Sequence, residues 1–148
     1  MASQADPADA PKGTAAISDA KRAMLKQLFE RANAEQAAGR LAEAEASCRE
    51  LLAIEEAHSG AWHLRGILAL RASDPASALA HIERAVALAP TRADCRHSLG
   101  FALKVLGRTA DAEAAFRQTV GLDADFVEAH YQLGNILRET RRFAAAQH

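Results

Sequence analysis

The sequence predicts an all-α protein built as a stack of about 3.5 antiparallel helical hairpins, and three observations carry that reading. The first is self-similarity at a spacing of 34 residues in three separate registers: Gly66, Gly100 and Gly134; Ala44, Ala78, Ala112 and Ala146; and the series Gly39, Ser73, Gly107 and Arg141. The second is composition. Alanine supplies about a quarter of the 148 residues, aromatics only 5%, and β-branched residues are scarce, so helices can approach closely while neither sandwich nor barrel can be built. The third is punctuation at the right places: Ser18 and Asp74-Pro75 are helix starts, and Gly39 and Gly107 are helix ends.

Taken in order, Met1 to Ile17 has a Pro, Asp, Ala and Gly composition that cannot form a packed core, which predicts a flexible tail over residues 1–18. The helical domain, residues 19–148, then begins with a helix over about Asp19–Ala38, paired with a second over about Leu41–Glu56. This first unit, 25–58, keeps Leu28, Ala32, Ala44, Cys48 and Leu51 but places Arg31 and Glu35 at positions apolar in later units, as an end unit facing water would. The second unit, 59–92, predicts helices over about Ala61–Ala72 and Pro75–Leu88 and is marked by Trp62, Gly66, Ala78, Ile82, Ala85 and Pro90. The third, 93–126, predicts Arg92–Leu106 and Thr109–Val120, with Leu99, Gly100, Leu103, Ala112 and Phe116; Thr119 and Ala124 stand where Ala85 and Pro90 do one unit earlier. The fourth, 127–148, predicts a helix over about Phe126–Thr140 and a stub of another from Arg142, carrying Leu133, Gly134, Leu137, Phe143 and Ala146. Because one hairpin cannot bury its own apolar face, small residues let its two helices approach while large ones fill the gap of the next unit.

These units resemble the tetratricopeptide repeat family, of bacterial type, from about Leu25 to the last residue. The resemblance implies a right-handed α-solenoid in which the first helix of every unit lines a concave groove. The groove residues it implies are Lys26, Phe29, Asn33 and Gln36 in unit one, His63, Ile67, Leu70 and Arg71 in unit two, and Asp94, His97, Phe101, Lys104 and Val105 in unit three; unit four adds Glu128, Tyr131, Asn135, Arg138 and Glu139. On that reading Ile67, Leu70, Phe101 and Val105 make the middle of the groove apolar without serving the packing between hairpins, a pattern suited to a peptide or helix. Lys104 and Arg138 are placed to meet carboxylates of a bound segment.

Two subfamilies are disfavoured by their own motifs. Modules that clamp a C-terminal carboxylate carry Lys, Asn and Arg where this chain has Phe29, Asn33, Leu64, Asp94 and Ser98, and only Asn33 matches. The asparagine ladder of the sugar-transferase superhelices is replaced by Glu30, Leu64, Ser98 and Gln132. The implied function is a protein-interaction scaffold that binds a peptide or helix in its groove. The alternative is the N-terminal repeat region of a longer bacterial enzyme, a sulfotransferase, glycosyltransferase or methyltransferase, where repeats recruit substrate or self-associate. An uncovered last hairpin also predicts a homo-oligomer through that end.

A formal net charge of −1 removes the electrostatic argument for nucleic acid or an anionic membrane, leaving protein or peptide as the expected partner. No apolar run reaches about 18 residues and the N-terminus lacks a signal-peptide pattern, which predicts a cytoplasmic protein. Cys48 and Cys95 are too far apart for a CxxC or Cys/His ligand pattern. Cys48 is predicted buried and inert, Cys95 the more exposed thiol. His63 and His97 share one groove register, but packed helices lie about 8–10 Å apart, too far for both to reach one ion. His130, in the register of Trp62, is predicted to pack in the core. Ser98 and His97 point about 100° apart on a helix and form no dyad. No metal, cofactor or catalytic site is therefore predicted, and this segment is read as non-enzymatic.

Overall fold

The computed structural model describes residues 18–147, so the tail expectation for Met1 to Ile17 lies outside the described residues. Within them the chain forms seven helices and no strand: α1 Asp19–Ala37, α2 Leu41–Ile54, α3 Ser59–Arg71, α4 Pro75–Leu88, α5 Ala93–Val105, α6 Thr109–Leu122 and α7 Val127–Ala146. The start signals act as read. Ser18 Oγ accepts from the Lys21 amide, and Asp74 accepts from Ser77 with Pro75 as the first helical residue.

The turns inside the hairpins repeat one closure. Gly39, Ser73 and Gly107 take φ of 78°, 59° and 79°. The next amide in each case reaches back to a carbonyl five residues earlier, Arg40 N to Glu35 O at 2.8 Å, Asp74 N to Ala69 O at 2.9 Å and Arg108 N to Leu103 O at 2.9 Å. A left-handed residue is what lets an α-helix end this way, and glycine adopts it without a Cβ clash. Arg141 holds the same register but keeps helical geometry, so α7 runs unbroken for 20 residues. The expected break after Thr140 and the separate stub from Arg142 are therefore replaced by one long helix. A bulky L-residue disfavours the left-handed conformation that Gly39 and Gly107 take in this register. Phe143, expected in that stub, sits on α7 and is 68% exposed.

The hairpin partners α1 with α2, α3 with α4 and α5 with α6 pack along their lengths, while α2 meets α3, α4 meets α5 and α6 meets α7. Contacts of α1 with α3 and of α3 with α5 line the first helices of successive units into one layer. The core is a chain of small clusters rather than one mass: Leu25, Leu28, Leu51 and Ala61; then Ala32, Ala44, Cys48, Leu64 and Leu68; then Ala78, Ile82 and Ala102; then Leu103, Ala112, Phe116, Ala129 and Ile136. Each cluster takes residues from two adjoining units, the quasi-one-dimensional burial of a solenoid.

Two positions differ from expectation. Cys95 is fully buried, as are its register equivalents Ala61 and Ala129. The third residue of a unit abuts the preceding hairpin, so a small side chain is needed there and the thiol is no surface group. His130 is exposed rather than a core residue. Its Nε2 lies 2.7 Å from Ala124 O, and the same register supplies Trp62 Nε1 donating to Glu56 O at 2.8 Å and Arg96 Nε donating to Pro90 O at 3.0 Å. A donor at this position thus satisfies the carbonyl of each inter-unit loop.

Candidate functional site

The layer formed by the first helices carries every residue expected to line the groove, but the structure divides them. Phe29 is turned into the junction of units one and two. Its ring lies 5.0 Å from that of His58, and it packs on both neighbouring clusters. Leu70, expected to be free of packing duties, rests against the Ala78, Ile82 and Ala102 cluster. His97 is likewise internal, its ring 5.5 Å from Phe116 and 4.9 Å from Phe126. Its buried Nε2 has no hydrogen-bond partner among the described residues, and burial lowers its pKa from the usual histidine value. These three placements share a cause: a side chain at the edge of a helix face turns inward when the neighbouring unit leaves a gap for it.

Of the remaining residues His63 is buried, and the others face outward or onto the layer. Ile67 and Asn135 are half-buried, while Asn33 is exposed and donates to Phe29 O at 2.9 Å. Arg71 reaches across to Gln36 O at 2.9 Å, and Lys104 Nζ donates to Gln132 Oε1 at 3.0 Å, so each cation ties its unit to a neighbour. Arg138 is exposed. Among the expected groove residues the apolar groups open to solvent are Phe101, Val105 and Tyr131, at 39%, 52% and 66% exposure. The apolar surface therefore lies over α5 and α7, displaced from the middle of the stack toward its C-terminal part.

The sequence did not announce the polar group between α3 and α5. His63 is buried, with Nε2 2.8 Å from Ser98 Oγ and Nδ1 3.9 Å from Asp94 Oδ2. Asp94 takes two bonds from the Arg92 guanidinium, Nε to Oδ1 at 3.2 Å and Nη2 to Oδ2 at 2.7 Å, and one from the Cys95 amide at 2.9 Å. Partial burial alone would raise the Asp94 carboxyl, but its bonds and charge contact with Arg92 hold it below the usual carboxylate range. Burial lowers the His63 pKa, against the opposing charge of Asp94. Residues 35 apart, Ser98 and His63, thus pair where the neighbours Ser98 and His97 do not.

A second concavity, of about 590 Å³, opens between α2, α3 and α4. Leu41, Leu68 and Ala69 contribute apolar walls, and Glu45, Arg65 and His81 polar ones. Glu45 pairs with both cations that line the concavity, Arg65 at 2.9 Å and Arg49 at 3.1 Å.

Comparison with known proteins agrees with the helical-repeat fold. The tetratricopeptide repeat family profile matches residues 29–93 and 99–146, and the chain belongs to that family. Among solved structures it is similar to a mutant O-GlcNAc transferase of Thermobaculum terrenum, with TM-score 0.78 and 28% identity over 82% of this chain but only 23% of the transferase. It also resembles the first such domain of Spaghetti (RPAP3) bound to an HSP90 peptide, with TM-score 0.76 and 20% identity over 79% of this chain and 93% of that one. MamA from Desulfovibrio magneticus is a further likeness, with TM-score 0.73 and 24% identity over 83% of this chain and 70% of that one. No curated protein matches the sequence. Among the described residues no helix is long and apolar enough to cross a membrane.

Proposed function

We propose that this repeat domain is a protein-interaction scaffold whose first-helix layer binds a peptide or helix of another protein, with the contact centred on Phe101, Val105 and Tyr131. The observation that supports the proposal is the solvent exposure of these three apolar side chains in the register expected to line the groove. Large apolar groups held open on a rigid layer gain from covering by a partner's apolar face, at about 25 cal/mol per Å² removed from water. The RPAP3 domain with this fold is described with a bound peptide. The tail-carboxylate clamp is not the mode favoured here, because Asp94 and Ser98 stand where its cationic partners would be required.

The test is a pair of surface substitutions, Phe101→Asp and Tyr131→Ala, scored by pull-down and then by titration against the partner so identified. Because both side chains are exposed, the fold is expected to survive. Affinity is expected to fall at least tenfold, about 1.4 kcal/mol. Unchanged affinity in a folded double variant would place the partner elsewhere.

A second reading is that these repeats serve a longer enzyme, as the likeness to part of a transferase suggests. One observation favours a further helix on α7: a Cβ built on Gly134 meets nothing within 4 Å, whereas Gly66 and Gly100 are filled by Ile82 and Phe116. The reading frame on either side of the chain in its source gene decides between these readings, and light scattering over a concentration series decides whether that open face instead pairs two copies.

A further inference from the structure

We propose that His63, Asp94 and Cys95 form a transition-metal site, best suited to zinc, that clasps units two and three together at the floor of the first-helix layer. Their ligand atoms, one from each side chain, all lie within 4.8 Å of one another. The donor set comes from two hairpins, His63 from α3 and the adjacent pair Asp94 and Cys95 from the first turn of α5. Imidazole, carboxylate and thiolate are each zinc ligands, and three of them leave a fourth tetrahedral position for water or a partner's side chain.

His63 Nδ1 and Asp94 Oδ2 are 3.9 Å apart, beyond a direct hydrogen bond. Two metal bonds of about 2.0–2.1 Å at a tetrahedral angle span about 3.4 Å, so His63 and Asp94 would close by roughly 0.5 Å around an ion, and donors as far apart as 4.8 Å would close further.

The surroundings are those that orient ligands. His63 uses Nε2 on Ser98 Oγ, which leaves Nδ1 turned to the carboxylate. Asp94 Oδ1 is occupied by Arg92 Nε and the Cys95 amide. Oδ2 takes one bond, from Arg92 Nη2, and retains a lone pair on the His63 side. Metal ligands commonly have such outer partners, which fix the ring and the carboxylate before the ion arrives. Cys95 is fully buried and has no disulfide partner. Binding converts the thiol to a metal thiolate, its proton passing to the buffer, with no change of oxidation state. The peptide-binding reading is not required for any of this.

The register supplies variants that keep the fold. Alanine occupies the Cys95 position in units two and four, as Ala61 and Ala129, and Phe29 occupies the His63 position in unit one. Chelator-stripped protein is titrated with zinc by calorimetry and with cobalt(II) by absorption, alongside Cys95→Ala and His63→Phe, after circular dichroism confirms helicity. The expected result is one zinc per chain, at least tenfold weaker binding in each variant, and an intense near-ultraviolet thiolate-to-cobalt band that Cys95→Ala abolishes. Zinc is expected to raise the Tm of the parent chain and not of Cys95→Ala. Equal zinc affinity in parent and Cys95→Ala, no binding by the parent, or a cobalt complex without the thiolate band would each overturn the site.

Discussion

A Cβ built on Gly66 would lie 2.3 Å from Ile82 Cγ1, and one built on Gly100 would lie 2.7 Å from the Phe116 ring. Both glycines are there because the partner helix drops a large side chain into the space beside them, which lets the two backbones close. Gly134, in the same register, meets nothing within 4 Å. Alanine substitution should therefore separate the three. Gly66→Ala and Gly100→Ala are expected to destabilise by about 1–3 kcal/mol through overpacking against Ile82 and Phe116. Gly134→Ala is expected to stabilise by about 0.5–1 kcal/mol, because a helical glycine carries an entropy cost that alanine lacks. Urea denaturation of the three variants measures this, and a loss of stability in Gly134→Ala would mean that its surface is covered. The 34-residue spacing made the glycines legible, but the same letter has different work at Gly134, which only the neighbouring helix decides.

At the scale of the element, helix starts and ends were readable to within about two residues because caps and left-handed turns are local chemistry. The exception, α7, passes through Arg141 because a repeat register transmits a position but not the residue that makes the turn there. The junction of α2 with α3 shows the converse, a charged pair replacing an apolar one. Arg65 stands where Leu99 and Leu133 stand in later units, its guanidinium 2.9 Å from Glu45 Oε1 and 5.3 Å from the centre of the Trp62 ring. The Arg65 side chain is only 15% exposed, so removing its partner strands a cation against protein. Glu45→Ala is expected to cost about 1–3 kcal/mol. The double variant Glu45→Ala, Arg65→Leu is expected to recover most of that, since a buried pair is often replaceable by an apolar one. Thermal unfolding of the single and double variants checks the cycle; a double variant as unstable as Glu45→Ala would show that the guanidinium's packing, not its charge, holds the junction.

For the whole molecule, stability is shared among clusters that each span two units, and several histidines sit within or beside them. Burial lowers the pKa of His58, His63, His81 and His97 from the usual 6.5. Groups whose folded pKa is depressed bind fewer protons folded than unfolded. Their contribution is fully present above about pH 6.5 and is lost as pH falls through the lowered values. Acidification from pH 7.5 toward 5 is expected to lower Tm, with about 1 kcal/mol moving it roughly 2–4 °C in a chain of this size. Asp74 and Asp94 are held below the usual carboxylate range, so they should not titrate there. His97 sits between Phe116 and Phe126 with one buried nitrogen unpaired, so His97→Phe is expected to flatten part of the slope; a pH profile identical to the parent's would contradict its role.

The sequence by itself determined the stack: the period of 34, the two helices per unit, the small residues that let them approach, and hence the tetratricopeptide fold. These are legible because periodicity, capping and turn chemistry depend on residues close along the chain. Tertiary structure alone decided which edge residues turn inward, as Phe29, Leu70 and His97 do, which thiols are sealed, and which distant groups meet, as His63 meets Ser98 and Asp94. Those outcomes depend on the gap left by the next hairpin and on side-chain volume in that gap, which the register names without measuring.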